Sequence, residues 1–183
     1  MILVDTNVVI RSYEGAEALL TSGLTSGSTT GPPHPPADPL GQVDAVWRSL
    51  LKAGKVGTIV EVLQEVMKEP SMRWRRIIEN DFPHCIAQQT ERYYDVLGDI
   101  DAFVRKCWPS HHADLFLKGA DPHLVAMAAT NGWAVATLES PGVPRRGNGA
   151  QHFSDRVMLP YVAWQFGVPV KTIYDLFTAP ARR

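Results

Sequence analysis

Short apolar runs that end at polar or acidic residues constrain the fold of this chain more than any other feature. Such runs cover residues 2–4, 56–60 and 133–138, and the first and last are followed by Asp5 and Glu139. Runs of this length and composition are typical of strands buried on both faces of a parallel sheet. Segments with helical spacing lie between them. The sequence therefore predicts a three-layer α/β/α fold with a central, mainly parallel sheet.

Apolar residues recur at helical spacing in several segments. Ala120-Asp121-Pro122 is a helix-start signal, and it predicts Asp121 at the N-cap and Pro122 at the first helical position. The predicted helices begin at about residue 8 and cover about 43–53, 61–69, 88–108, 112–117, 121–131, 161–166 and 173–177.

The chain has 183 residues, which is the length of one domain, and 45% of them are hydrophobic. We therefore expect a single domain over residues 1–183. Residues 21–41 are rich in Gly, Pro, Ser and Thr and show no apolar periodicity. This composition predicts a flexible insertion within the domain, whose simplest interpretation is a solvated loop without a function.

The charges nearly balance: 18 Lys and Arg against 19 Asp and Glu give a net charge of −1. This balance weighs against nucleic-acid binding by bulk charge, but it leaves open contact through metal ions or a local group of cations. No apolar run is long enough to cross a membrane, and Asp5 interrupts the first run, which argues against a secretory leader. Cys85 and Cys107 lack metal-ligand spacing and form no disulfide framework. A cytoplasmic location is expected.

Four carboxylates stand where predicted strands end or helices begin: Asp5, Glu65, Asp121 and Glu139. Parallel strands bring these positions to one edge of the sheet. Gathered carboxylates repel one another and need a compensating cation, and oxygen ligands favour Mg²⁺ or Mn²⁺. Such a site suits phosphodiester hydrolysis by metal-activated water.

Each carboxylate also has an ordinary structural interpretation. Asp5 and Asp121 could cap helices, Glu65 could be a solvated helical residue, and Glu139 could belong to a turn. Glu61 lies one turn before Glu65 on the same helix face and competes for its role. The order and separation of all four along the chain carry the prediction.

Three motifs, ILVDTNVVI, ADPHLVAMA and VATLE, resemble the hallmarks of the PIN-domain nuclease family. The ending LPYVAWQFGV resembles a PIN-like branch classed only as a domain of unknown function. The resemblance covers most of the chain outside the insertion. It implies a PIN-like fold and a metal-dependent endoribonuclease that leaves a 5′-phosphate.

The resemblance also implies residue roles. Asp5, Asp121 and Glu139 match metal ligands, and Glu65 matches an additional ligand or water-orienting base. Thr137, together with Asn7, takes a supporting role. Glu139 departs from the Asp that is often found at its position. His123 has no assigned role, and a ligand role is disfavoured because these sites prefer oxygen.

Small PIN proteins are often dimeric toxins of toxin–antitoxin pairs, so the resemblance implies an RNA substrate, an antitoxin partner and a homodimer. Two other functions stay open: a catalytically inactive PIN-like module that binds RNA or protein, and an acidic-site phosphohydrolase or DNase. Trp74 between arginines suggests base stacking, although an inward Trp74 with solvated arginines is the more ordinary interpretation. The candidates for contact with the RNA backbone are Arg73, Arg75, Arg76, Arg145 and Arg146.

Overall fold

Four short strands form one parallel sheet in the computed structural model, which describes residues 1–23, 38–140 and 142–178. The strands are β1 (Ile2–Val4), β2 (Val56–Gly57), β3 (Ala134–Ala136) and β4 (Val170–Lys171). They pair in the order β2-β1-β3-β4, and every pair is parallel. The predicted parallel α/β architecture is confirmed, and helices flank the sheet in three layers.

The helices between the strands agree with most of the predicted segments. β2 ends three residues earlier than predicted, and β4 was not predicted. The helices are α1 (Thr6–Gly23), α2 (Pro39–Lys52), α3 (Val60–Glu65), α4 (Met72–Asp81), α5 (Glu91–Cys107), α6 (Ser110–Leu117), α7 (Asp121–Asn131), α8 (Leu159–Gln165) and α9 (Ile173–Thr178), with a 3₁₀ turn at Pro83–Cys85.

Both ends of the predicted insertion are helical, because α1 continues to Gly23 and α2 begins at Pro39. Asp38 caps α2 by accepting the backbone N–H of Gly41 at 2.9 Å. The rest of the predicted insertion, residues 24–37, lies outside the described residues. The helices therefore extend further into this segment than its composition predicts.

The strand order creates a topological switch point between β1 and β3. From β1 the chain passes to β2 on one side, whereas β3 leads to β4 on the other side. In open α/β sheets, sites form outside the carboxyl ends of the strands at this place. The register pairs Val4 with Ala136, and the backbone N–H of Asp5 donates to the carbonyl of Ala136 at 3.0 Å. Asp5 therefore leaves the sheet beside Thr137.

Large buried side chains hold the helices against the sheet. Tyr13, Trp47, Trp74, Tyr93 and Trp108 are the largest aromatic residues that are almost fully buried. They belong to one apolar core with the strand residues and the inner face of α7. Within the described ranges, no helix is both long and apolar enough to cross a lipid bilayer.

Candidate acidic site

Asp5 is a buried carboxylate at the end of β1, with only 2% of its surface exposed. The Thr137 hydroxyl donates to Asp5 Oδ2 at 2.8 Å, and the backbone N–H of Asn7 approaches Oδ1 at 3.5 Å. Burial raises the pKa of Asp5, the hydrogen bonds from Thr137 and Asn7 lower it, and the charges of Glu139 and Glu65 raise it further. Asp5 is therefore close enough to Glu139 and Glu65 for their negative charges to disfavour its ionised form.

Glu65 ties the chain near Asp5 to the chain near Asp121. Its Oε2 accepts the Thr6 hydroxyl at 2.6 Å, and its Oε1 accepts the backbone N–H of Ala120 at 2.8 Å. Thr6 directly follows Asp5, and Ala120 directly precedes Asp121. Glu65 is the last residue of α3 rather than an interior one, because that helix ends four residues earlier than predicted. Its carboxylate thus joins the beginnings of two other helices.

Asp121 is the least compensated carboxylate of the group. Ala120, not Asp121, occupies the N-cap of α7, so the predicted cap is corrected: Asp121 lies in the first turn and makes no capping hydrogen bond. Burial raises its pKa from 3.8 to about 8, helped by the charges of Asp5, Glu139 and Glu65 and opposed by Arg156. Across the described part of the chain, no hydrogen-bond donor faces this carboxylate.

Glu139 is held at both oxygens after β3. The backbone N–H of Leu159, at the start of α8, donates to Glu139 Oε2 at 2.8 Å. The Arg156 guanidinium lies 3.5 Å from Oε1. The N–H of Glu139 itself donates to the Thr137 hydroxyl oxygen at 3.1 Å. The segment 156–159 therefore packs directly against the acidic site.

We call Asp5, Glu65, Asp121 and Glu139 the acidic cluster. They come from four elements or their ends, and the charges of the other three act on Asp121. The predicted supporting residue Asn7 contributes its backbone N–H, and its side chain is exposed. The convergence results from parallel strands whose carboxyl ends share one edge.

Glu61 belongs to a different set of contacts from Glu65. Its Oε1 accepts an amide hydrogen bond from Gln89 at 2.8 Å and lies 3.5 Å from His123 Nδ1. His123 is also hydrogen-bonded to the Tyr93 hydroxyl. Glu61 and His123 thus form a polar group with α5, whereas Glu65 contacts the acidic cluster.

The arginines of α4 are engaged in ion pairs, and Trp74 is fully buried. Arg73 pairs with Asp44, Arg75 with Glu79, and Arg76 with Glu69. The suggested stacking of a base on Trp74 is therefore wrong, because its ring packs in the core at 5.9 Å from that of Trp47. The ordinary interpretation of this helix, an inward Trp74, is the observed one.

Arg145 and Arg146 lie in the segment that precedes α8. The Arg146 guanidinium lies over the Phe153 ring, 4.9 Å from its centroid, while the backbone N–H of Arg145 donates to Asp155. The side chain of Arg145 has no ion-pair partner among the residues that the structure describes. Neither arginine is itself shown to contact the acidic cluster.

Sequence reasoning missed two contributors to the site, Arg156 and the Thr6 hydroxyl. Arg156 is the cation next to Glu139, and 71% of its side chain is exposed. It lies in a segment without periodicity, so only its closeness to the predicted helix at 161–166 offered a signal. Thr6 was predicted at most as a helix cap, whereas its hydroxyl donates to Glu65.

The donor set of the acidic cluster suits a hard divalent cation. All four side chains offer carboxylate oxygens, and the half-buried Asp121 accepts no hydrogen bond from the residues that the structure describes. As the side chains stand in residues 1–23, 38–140 and 142–178, no group of three or more acidic, histidine or cysteine residues is arranged to hold a metal ion. The residue types of the acidic cluster therefore fit Mg²⁺ or Mn²⁺.

Fold and site define the class of this protein: a three-layer α/β/α protein with carboxylates gathered at the switch point of a parallel sheet. Residues 39–182 match the family described as Domain of unknown function (DUF4411), and the chain belongs to that family. Three members of the acidic cluster lie inside the matched range, and Asp5 precedes it. Neither the curated proteins nor the solved structures contain a match to the chain.

Proposed function

We propose that this protein is a metal-dependent endoribonuclease of PIN type. The convergence of Asp5, Asp121 and Glu139 at the carboxyl edge of a parallel sheet carries the proposal. The motifs around these residues also resemble PIN hallmarks, which supports the proposal independently of the fold.

Asp5, Asp121 and Glu139 would hold Mg²⁺ or Mn²⁺. When bound, the ion would supply positive charge for the scissile phosphate and activate a water for attack, giving a 5′-phosphate product. Asp121 offers both carboxylate oxygens, because no donor in the described residues engages it. The Leu159 N–H donates to Oε2 of Glu139 and orients its carboxylate. Each carboxylate oxygen has two lone pairs, so this single hydrogen bond leaves others available to a cation.

Glu65 has a positioning role in this proposal. Both of its oxygens accept hydrogen bonds, from the Thr6 hydroxyl and the Ala120 N–H, so it fixes the residues next to Asp5 and Asp121. Arg156 lies beside Glu139 and is largely exposed, so its guanidinium is placed to meet a phosphate that approaches the acidic cluster. An antitoxin partner and a homodimer are part of the proposal through the family resemblance alone.

The test is cleavage of a fluorescently labelled single-stranded RNA with Mg²⁺ or Mn²⁺ and with EDTA. Asp5→Asn and Asp121→Asn each replace a carboxyl group with an amide at nearly constant volume. We expect both to lower the cleavage rate by more than about 100-fold, beyond the loss typical of residues that only orient metal ligands. Asp99→Asn, on the exposed side of α5, is the matched control and should cleave like the native protein.

The outcomes separate the competing functions. Cleavage of DNA or nucleotides but not RNA would identify a DNase or a phosphohydrolase instead. RNA binding without cleavage, and without divalent-ion binding by calorimetry, would identify an inactive module. Unchanged RNA cleavage in both Asn variants would overturn the proposed site.

A further inference from the structure

A small cleft of about 200 Å³ is lined by the segment that follows Glu139 and by α8. We call it the aromatic cleft. Two segments line the cleft. One begins three residues after Glu139, and the other begins directly after Leu159, whose backbone N–H donates to the Glu139 carboxylate. The residues that line it are Gly142, Val143, Pro160, Tyr161 and Trp164.

Two of the lining side chains are far more exposed than is usual for large apolar groups. Trp164 is 69% exposed and Val143 is 80% exposed. The other four tryptophans of the chain are buried or half-buried. An exposed indole beside an exposed valine leaves apolar surface in water, which is typical of a surface that binds a ligand.

Tyr161 connects the aromatic cleft to the core. Tyr161 packs edge-on against Trp108 and Phe153, with ring centroids 5.8 and 5.7 Å away, and its centroid lies 5.9 Å from that of Trp164. Trp108 is itself 1% exposed and belongs to the core. Trp164 therefore lies beside a tyrosine ring that packs against the aromatic core.

Two arginines are close in sequence to the residues that line the aromatic cleft. Arg145 follows Val143 by two residues, and its carbonyl accepts the backbone N–H of Ser154 at 2.8 Å, which closes a short loop. Arg156 follows on the returning side of this loop, 3.5 Å from Glu139. Exposed aromatic surface next to guanidinium groups is the combination that binds single-stranded nucleic acid.

We propose that the aromatic cleft is a base-binding subsite, in which Trp164 stacks on an unpaired nucleobase of the RNA next to the cleaved phosphate. The inference rests on the proposed function, since it identifies single-stranded RNA as the substrate class of the same site. A single-stranded, unstacked base is required because a base inside a duplex has both faces covered by the base pairs stacked above and below it. A protein with a net charge of −1 does not attract RNA by its overall charge. Stacking on Trp164 and contacts with Arg145 and Arg156 would supply the affinity for RNA instead.

The test is binding of a fluorescein-labelled eight-nucleotide RNA, followed by anisotropy in EDTA so that no cleavage occurs. We expect Trp164→Ala to weaken binding by roughly 5- to 150-fold, the usual effect of losing one stacked base. Trp164→Phe keeps a ring and should recover most of the affinity. Leu115→Ala is the matched control, because Leu115 is equally exposed but lies on α6, outside the cleft.

An abasic oligonucleotide of the same length distinguishes stacking from backbone contact. The native protein should bind the abasic RNA more weakly than the normal RNA, and Trp164→Ala should bind both alike. In cleavage assays, Trp164→Ala should raise KM with a much smaller change in kcat, because the indole does not touch the reacting phosphate.

Three results would overturn the subsite. Equal binding of abasic and normal RNA by the native protein would exclude base recognition. Unchanged RNA affinity and KM in Trp164→Ala would show that the indole does not bind the RNA, even if the native protein cleaves RNA. A native dimer that becomes a monomer in Trp164→Ala, with RNA binding unchanged, would make the cleft a protein interface. Conversely, Trp164-dependent RNA binding without any cleavage would support the subsite while contradicting the nuclease proposal.

Discussion

Thr137 is the residue on which the geometry of the acidic cluster depends most directly. Its hydroxyl donates to Asp5 Oδ2 at 2.8 Å, and the same oxygen accepts the Glu139 N–H at 3.1 Å. One buried oxygen thus fixes a carboxylate after β1 and the backbone that carries a second carboxylate after β3. Its hydrogen bond lowers the pKa of Asp5 against the larger effect of burial, so Thr137 favours the ionised form.

Thr137→Val keeps the shape of the side chain and removes both hydrogen bonds. We expect the free energy of unfolding at neutral pH to fall by about 1–3 kcal/mol, because a buried carboxylate and an N–H lose their partner. Affinity for Mg²⁺ should fall by roughly 10- to 100-fold. Urea denaturation in EDTA and isothermal titration with Mg²⁺ measure the two effects. Thr137→Ser retains the hydroxyl and should behave nearly like the native protein; equal losses in both variants would contradict the role of the hydroxyl.

At the scale of the element, α4 directs its tryptophan into the core and its arginines into ion pairs. Trp74 packs edge-on against Trp47 of α2, and it is 0% exposed. The three arginines of α4 pair with Asp44, Glu79 and Glu69, so their charges are already compensated. The helix thus connects α2 to the core, and the ion pairs occupy its outer side.

Trp74→Ala tests this role of α4. We expect the free energy of unfolding to fall by about 3–5 kcal/mol, because the substitution leaves a cavity where a fully buried indole packed. Trp74→Phe should cost less, since the indole N–H has no hydrogen-bond partner in the described structure. Trp164→Ala, at an exposed position of α8, should stay within about 1 kcal/mol of the native value. Chemical denaturation measures all three variants, and a small loss in Trp74→Ala would show that α4 is loosely attached.

Elements that carry a strong local pattern could be predicted, and those defined by long-range contacts could not. β1 and β3 are continuous apolar runs, and the start of α7 has a Pro signal that fixed it to within one residue. β4 has only two residues, which is too short for any period. The positions of the carboxylates could be predicted because the carboxyl ends of parallel strands share an edge. The hydrogen bond from the Thr6 hydroxyl to Glu65 could not, because it joins residues 59 positions apart and no local pattern indicates it.

At the scale of the whole molecule, a net charge of −1 conceals an uneven distribution of charge. The acidic cluster has four carboxylates at one edge of the sheet. Arg145 and Arg156 lie on the loop that precedes α8. This loop is attached to the end of α5, because the backbone N–H of Phe153 donates to the Cys107 carbonyl at 2.7 Å. The near-zero net charge therefore does not mean that the charges are evenly distributed over the protein surface. Stability and cation binding should be linked through this edge, because the charges there repel one another until a cation compensates them.

The pH dependence of stability follows from that linkage. Burial and the neighbouring carboxylates raise the pKa of Asp121 from 3.8 to about 8, and burial also raises the pKa of Asp5. The folded state therefore binds more protons than the unfolded state between these values, so stability falls as pH rises from about 4 to about 8. In EDTA, we expect the free energy of unfolding to decrease by up to about 1 kcal/mol per pH unit across this range, reduced by solvent screening.

Thermal and urea unfolding at a series of pH values, with EDTA or with Mg²⁺, measures this slope. Asp121→Asn should flatten it, because the amide does not titrate, whereas the exposed Asp99→Asn should keep it. Mg²⁺ should stabilise the native protein most at the alkaline end, where the carboxylates are ionised and their repulsion is largest, and it should have little effect on Asp121→Asn. A slope that persists in Asp121→Asn, or a Mg²⁺ effect that is largest in acid, would contradict the charge linkage at this sheet edge.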